Sequence, residues 1–218
     1  MALDMHEEEQ VEALKRWWRE NGRAVIAGLV LAVAIVLGWQ WWQARQEALA
    51  HQAGQVYAEL LSKLDSAPAE ARAPAERLLN EFAGTTYADL AGLALARIEA
   101  EGGQADAALA RLQHLAANAS DESVRALATL RQARLSWGAG QAEAALGLLE
   151  GKLPDAFRAE ADTLRGDVLV SLGRLDEARK AYDAALAQAA LQGQETGLIR
   201  IKRDDLGGST DAAAVQTN

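Results

Sequence analysis

Cysteine is absent from the chain, which excludes disulfides, thiolate metal sites and a lipid-modified cysteine at the N-terminus. Proline occurs three times in 218 residues, and Ala, Leu, Arg, Glu and Gln dominate, so the chain is composed of residues that lose least on entering a helix. Val and Ile are scarce beyond residue 36, which leaves little from which to build a sheet. Histidine is nearly absent too. His6, His51 and His114 lie in three separate segments, with no nucleophile elbow, phosphate loop or zinc motif beside them. Gly138 to Gly140 is a fragment of a glycine fingerprint with no strand before it, and reads as a turn. Acidic pairs such as Asp121 with Glu122 and Asp204 with Asp205 read as helix-start and surface charges. No catalytic residue, metal site or cofactor is expected, because every candidate lacks its second group.

One long apolar run is present. Residues Ala24 to Trp39 carry no charged or amide side chain, and Gln40, Trp41 and Trp42 extend the weakly polar window to nineteen residues. Trp18 and Trp39 are 21 positions apart, or about 32 Å along a helix, close to the roughly 30 Å hydrocarbon thickness of a bilayer. Trp17, Trp18, Trp39, Trp41 and Trp42 are five of the six tryptophans, and their grouping at the two ends matches rings placed at membrane interfaces.

Lys15, Arg16, Arg19 and Arg23 precede the run, whereas Arg45 is the one Lys or Arg in the twenty residues after Trp42. This bias keeps the N-terminus in the cytoplasm and sends the rest outside, to the periplasm in a bacterial cell. A cleaved leader fits poorly despite the small residues Ala48 and Ala50. The start is acidic, with Asp4, Glu7, Glu8, Glu9 and Glu12, and three tryptophans and Arg45 separate the run from the cut. Within the span Ala24, Gly28 and Ala32 recur every fourth residue. They form either a helix-packing stripe or simply the small residues common in membrane helices.

About 170 residues remain for one exterior module. Its charge is acidic, with 17 basic and 25 acidic side chains after residue 45, which argues against nucleic acid or anionic lipid headgroups as its main partner. The membrane is met through the anchor. The pattern predicts a helix from Glu47 to Leu64, a loop from Asp65 to Pro74, and a short helix from Ala75 to Phe82. Three related strings follow: GQADAAL from Gly103, GQAEAAL from Gly140 and GRLDEAR from Gly173, at spacings of 37 and 33 residues. Each follows a helical run, at Tyr87 to Ile98, Val124 to Leu135 and Phe157 to Leu172. Glycine ends the first helix in a left-handed conformation, and the acidic residue sits in the first turn of the second. A helix–turn–helix unit of this period matches the tetratricopeptide repeat, best in the third copy through Gly166, Gly173, Ala178, Tyr182 and Ala185.

The expected fold is therefore all-α: a single N-terminal transmembrane helix followed by a tetratricopeptide-repeat-like α-solenoid. The expected boundaries are a cytoplasmic segment over 1–22, the span over 23–43, the periplasmic domain over 44–206, and a disordered tail over 207–218. The repeats cover about 86–117, 121–152 and 156–190, with the segment from Glu195 to Leu206 as a final cap or strap. Aligning the three glycine turns brings Arg97, Arg134 and Asp167 to equivalent places on successive first helices, with Leu90, Leu127 and Leu130 beside them and Trp137 a turn later. These seven residues form a candidate protein-binding groove. The alternative is that Trp137 packs into the adjoining repeat and the arginines are a solvated face.

The acidic start running into VEALKRWWRENG at Val11 to Gly22, the span closing in GWQWWQ, the Ala-rich repeats and the ending IRIKRDDL together resemble the YfgM family, ancillary subunits of the SecYEG translocon. The resemblance covers about residues 7 to 206. It implies an inner-membrane protein with a periplasmic repeat domain, associated with the SecYEG translocon and with the membrane-anchored chaperone PpiD, which helps pass exported client proteins to periplasmic chaperones. Periodicity alone also allows an anchored scaffold for some other envelope complex.

Overall fold

A computed structural model of the chain describes the backbone over residues 2–206, and side chains over 15–23 and 25–206. The residues expected to form the disordered tail, 207–218, and the acidic cluster before Lys15 lie outside the described residues or side chains. Nine α-helices and no strands occur among the described residues. They are α1 (Ala2–Leu64), α2 (Pro68–Glu81), α3 (Thr86–Glu101), α4 (Ala105–Asn118), α5 (Glu122–Gly138), α6 (Ala142–Leu149), α7 (Asp155–Ser171), α8 (Leu175–Leu191) and α9 (Gly197–Asp205).

Two departures from the sequence pattern have simple causes. The segment from Gln43 to His51 holds no glycine or proline, so one helix continues where a span and a separate helix from Glu47 are expected. In α2, Pro68 occupies the first turn, where its missing N–H costs nothing, and the helix starts seven residues earlier than expected. Pro74 lies inside this helix and is buried; the carbonyl of Glu70 that it cannot serve belongs to an exposed residue.

The chain divides into two compact units, one ending at His51 and one starting at Gln52. In the first, Val25, Ile26, Leu29, Val30, Leu31, Val33, Ile35, Val36 and Leu37 are all exposed. The apolar window is long enough to cross a membrane, and none of it is buried by protein. Helical backbone bonding lets such a segment enter hydrocarbon without orphaned polar groups. The tryptophans pair at its two ends: Trp17 with Trp18 at 6.5 Å between ring centroids, and Trp39 with Trp42 at 5.4 Å. The Arg45 guanidinium lies 5.8 Å from the Trp41 ring.

In the second unit, helices α3 to α8 form three consecutive pairs. Gly103, Gly140 and Gly173 take φ of 76°, 81° and 74°. The amide of the residue after each glycine reaches back to the first helix: Gln104 to Glu99 O at 2.8 Å, Gln141 to Ser136 O at 2.9 Å, Arg174 to Leu169 O at 2.9 Å. Each is a Schellman closure, which satisfies carbonyls left open at the helix end. The same turn recurs at Gly193, where Gln194 N donates to Ala189 O at 2.9 Å, and leads into α9. The carboxylates Asp106, Glu143 and Asp176 fall in the first turns of α4, α6 and α8.

Alanine supplies more than half of the buried apolar residues, so helices approach closely. Leu93, Leu112, Leu115, Val124 and Ala128 form one core across α3, α4 and α5. Leu130, Ala133, Leu146, Leu164, Val168, Leu169 and Tyr182 form another across α5 to α8. Helix α5 belongs to both, and so joins them. The first helices also lie side by side, α3 against α5 and α5 against α7. One buried charge is compensated: Glu99, 4% exposed, accepts from Arg111 Nε at 2.9 Å and Nη2 at 2.7 Å, tying α3 to α4.

Packing is closest where α7 meets α8. A Cβ added at Gly166 would clash with the Tyr182 ring, well inside van der Waals contact, whereas one added at Gly147, exposed on α6, would meet nothing. Gly166→Ala is expected to destabilise the protein by about 1–3 kcal/mol, and Gly147→Ala to stabilise it by up to ~1 kcal/mol. Urea unfolding followed by circular dichroism of the full chain in detergent checks both. Equal effects would mean that the α7–α8 contact is looser than described.

Candidate partner-binding groove

Arg97, Arg134 and Asp167 each stand six residues before their glycine turn, on α3, α5 and α7. The structure brings these equivalent positions to two adjoining depressions. The first, of about 510 Å³, is lined by Ala96, Arg97, Ala100 and Glu101 of α3, Arg131, Arg134, Leu135 and Gly138 of α5, and Leu112 below. The second, of about 490 Å³, has Arg134 on one side, Glu160, Thr163, Leu164 and Asp167 of α7 beneath, and Leu198, Ile199 and Lys202 of α9 at its far end. Arg134 lies in both, so the two are parts of one groove along the first helices.

The charged residues are positioned by specific partners. Arg97 Nη1 lies 2.9 Å from Asp65 Oδ1, and its Nε donates to Glu101 Oε1 at 2.7 Å. Arg134 Nη2 reaches Glu160 Oε1 at 3.2 Å. Both arginines are more than two-fifths exposed, so these pairs orient side chains and contribute little to stability. Asp167 differs. Its Oδ1 accepts from Tyr182 Oη at 2.7 Å, and Lys202 Nζ donates to both its oxygens at 2.7 Å. Its charge is spent inside the fold, locking α9 onto α7 and α8. The lock is reinforced by Arg179 Nη2, which donates to the carbonyl of Leu206 at 2.7 Å.

The apolar candidates lie deeper than expected. Leu130 is fully buried in the α5–α8 core, so its side chain packs the interior and cannot line a surface. Leu90 and Leu127 are half-buried against the α3–α5 core and border neither depression. Trp137 packs on the α5–α8 core, and its indole N–H donates to Ser171 Oγ at 2.9 Å, so it fastens α5 to α7. Gly28 and Ala32 of the membrane stripe are exposed, with nothing within 4 Å of a Cβ added at Gly28; the Ala24 side chain lies outside the described residues. The five candidate interface tryptophans are each half or more exposed, within a percent.

Sequence reasoning missed Arg131, three residues before Arg134 on the same face, and the small floor of Ala96, Ala100 and Gly138. The i, i+3 spacing of the two arginines was the available signal. The segment expected as a cap or strap forms α9, and what spacing does not give is that Leu198, Ile199 and Lys202 of it border the second depression. Among the described residues no group of three or more His, Asp or Glu is arranged to hold a metal.

An extended apolar helix, a repeat stack and a groove between its first helices are thus continuous in one sequence. Residues 15–208 match the family described as a tetratricopeptide repeat-like domain. The chain is 33% identical over 186 residues to the ancillary SecYEG translocon subunit of Escherichia coli strain K12, spanning 85% of this chain and 90% of that protein. It belongs to that family. The protein of the same name from Haemophilus influenzae is 27% identical over 201 residues, covering 92% of this chain and 98% of the relative. That of Aggregatibacter actinomycetemcomitans is 29% identical over 206 residues, covering 94% and 100%. No solved structure matches the chain. The family is one of non-enzymatic, protein-interaction subunits.

The lock at the end of the groove carries a pH signature. Burial first, then the hydrogen bond to Asp167, raises the Tyr182 phenol above its ordinary range. The folded chain therefore keeps this proton when the unfolded chain has lost it, so stability falls as pH rises past about 10. The slope from this group reaches at most ~1.4 kcal/mol per pH unit. Tyr182→Phe is expected to be less stable near pH 7 by about 1 kcal/mol through the lost hydrogen bond, yet to decline less steeply between pH 9.5 and 11. Parallel slopes in urea unfolding would contradict a buried, bonded phenol.

Proposed function

We propose that this chain is a non-enzymatic ancillary subunit of the SecYEG translocon that links exported proteins to periplasmic chaperones through its helical-repeat domain. The observation that carries this reading is the near full-length likeness to relatives so named, since it includes both the apolar helix and the repeats. Its partners in this reading are the translocon, the membrane-anchored chaperone PpiD and exported client proteins.

The proposed arrangement is a single-pass protein of the bacterial inner membrane, with 1–22 in the cytoplasm, 23–43 spanning, and 44–206 as the periplasmic domain. Four cations before the span against Arg45 after it support this orientation. The exposed tryptophans at the two ends support placement at the interfaces. Ala24, Gly28 and Ala32 are proposed as the face on which another membrane helix packs, an assignment supported by the open space at Gly28. The groove bordered by Arg97, Arg134 and Asp167 is proposed as the site for partner polypeptide. Its α3–α5 part offers apolar floor and cationic edge together, a combination suited to extended chain.

Purification in mild detergent is expected to retain the Sec channel, and leucine substitutions at Ala24, Gly28 and Ala32 to weaken that retention. A cysteine placed at exposed Ser120, in a chain that has none of its own, is expected to react with a membrane-impermeant maleimide in spheroplasts before lysis. Recovery of a different envelope complex without the channel would move the protein to the scaffold class, and labelling only after lysis would reverse the orientation.

A further inference from the structure

Arg131 is unlike its neighbours in the groove. Arg97 and Arg134 each hold a carboxylate, whereas among the described residues no carboxylate lies within 4 Å of the Arg131 guanidinium. Its one hydrogen bond is long, from Nη1 to the carbonyl of Leu93 at 3.4 Å. The side chain is half-buried between α3 and α5. Burial, then the like charges of Arg97 and Arg134, lower its affinity for the proton, with Glu160 and Tyr57 acting weakly the other way. A guanidinium keeps its charge regardless, so the fold holds a partly dehydrated cation beside two others. Such an arrangement is relieved by an anion from outside.

The surroundings define what that anion is attached to. Ala96, Ala100, Leu112 and Leu135 form an apolar floor, and Glu101 is the one carboxylate on the lining. Free inorganic ions gain nothing from such a floor, whereas an aliphatic side chain next to a carboxylate in the same peptide gains from both surfaces. The lining carries Arg97, Arg131 and Arg134 against Glu101, and Asp65 and Glu160, which stand outside it, answer Arg97 and Arg134, so Arg131 is the cation left for an outside carboxylate. We propose that the α3–α5 depression is a carboxylate-recognition site in which Arg131 anchors an Asp or Glu side chain of an extended partner polypeptide, with adjacent aliphatic residues on the Ala96–Leu135 floor. The proposal rests on the reading of the repeat domain as a polypeptide-binding module and names its ligand chemistry; it does not depend on which complex supplies the polypeptide.

The test uses the full chain in detergent micelles and a fluorescein-labelled decapeptide of alternating Asp and Leu with an amidated C-terminus, beside its Asn–Leu counterpart. Fluorescence anisotropy is expected to show the Asp peptide binding about tenfold tighter than the Asn peptide, the change that one charge-assisted hydrogen-bonded contact gives. Arg131→Gln is expected to reduce that preference below about threefold. Arg131→Lys, which keeps the charge and stem but not the bidentate fork, should fall between. Lys180→Gln, on the exposed surface of α8, should change nothing. Thermal unfolding by circular dichroism is run on each variant, and the Lys variant carries the test if the Gln variant is unfolded. Equal binding of the two peptides, binding unaffected by a folded Arg131 variant, or no binding of either peptide would each overturn the proposal. Retention of the Sec channel by the same preparation is read separately and decides the broader function.

Discussion

The fold depends on one closure made four times: a helix ended by glycine in the left-handed region, with the next amide reaching back five residues. Gly103, Gly140, Gly173 and Gly193 all make it. A non-glycine residue there costs roughly 1 kcal/mol or more in backbone strain. The larger consequence is geometric, because this turn returns the second helix against the first and leaves each pair with an apolar flank that only the next pair can cover. Helix α5, shared by both cores, shows that dependence directly. The groove is a by-product of the same stacking: successive first helices lie side by side, and positions six residues before the glycine come into line.

The chain answers to two solvents. Along the apolar run of the first unit the large exposed side chains are Leu, Ile and Val, which water disfavours and hydrocarbon accepts. In the second the exposed side chains are mainly charged or polar and the interior is chiefly alanine and leucine, the ordinary arrangement for water. Alanine makes close helix approach possible but gives each contact little area, so the domain relies on a few large groups for specificity of packing. Trp137 bonded to Ser171, Tyr182 laid over Gly166, and Glu99 gripped by Arg111 are the chief examples.

Much of this was legible beforehand, and the exceptions have a common origin. Uniform helical composition and the glycine strings identified three helix pairs, and length with tryptophan placement identified the span. Periodicity specifies which side of a helix a residue occupies but not how far inside the stack that side lies. For that reason Leu130, a candidate for groove lining, is buried, and Trp137 follows the alternative of packing into the adjoining repeat, where it fastens α5 to α7. A loop is expected from Asp65 to Pro74, yet Pro68 starts α2 and Pro74 is accommodated within it. Arg131 was overlooked because its distinguishing feature, the lack of a carboxylate beside it, is a property of distant chain segments brought together. Asp167 does border the second depression, but its partners Tyr182 and Lys202 come from 15 and 35 residues away and could not be paired from spacing.

The central claim is that partner polypeptide meets the side of the solenoid formed by the first helices. A photoreactive residue at Ala100, within the groove, and another at Gln113, exposed on α4 outside it, separate that claim from general surface contact in intact membranes. The account predicts polypeptide adducts from Ala100 and few or none from Gln113. Adducts from Gln113 alone, or in equal yield from both, would contradict it.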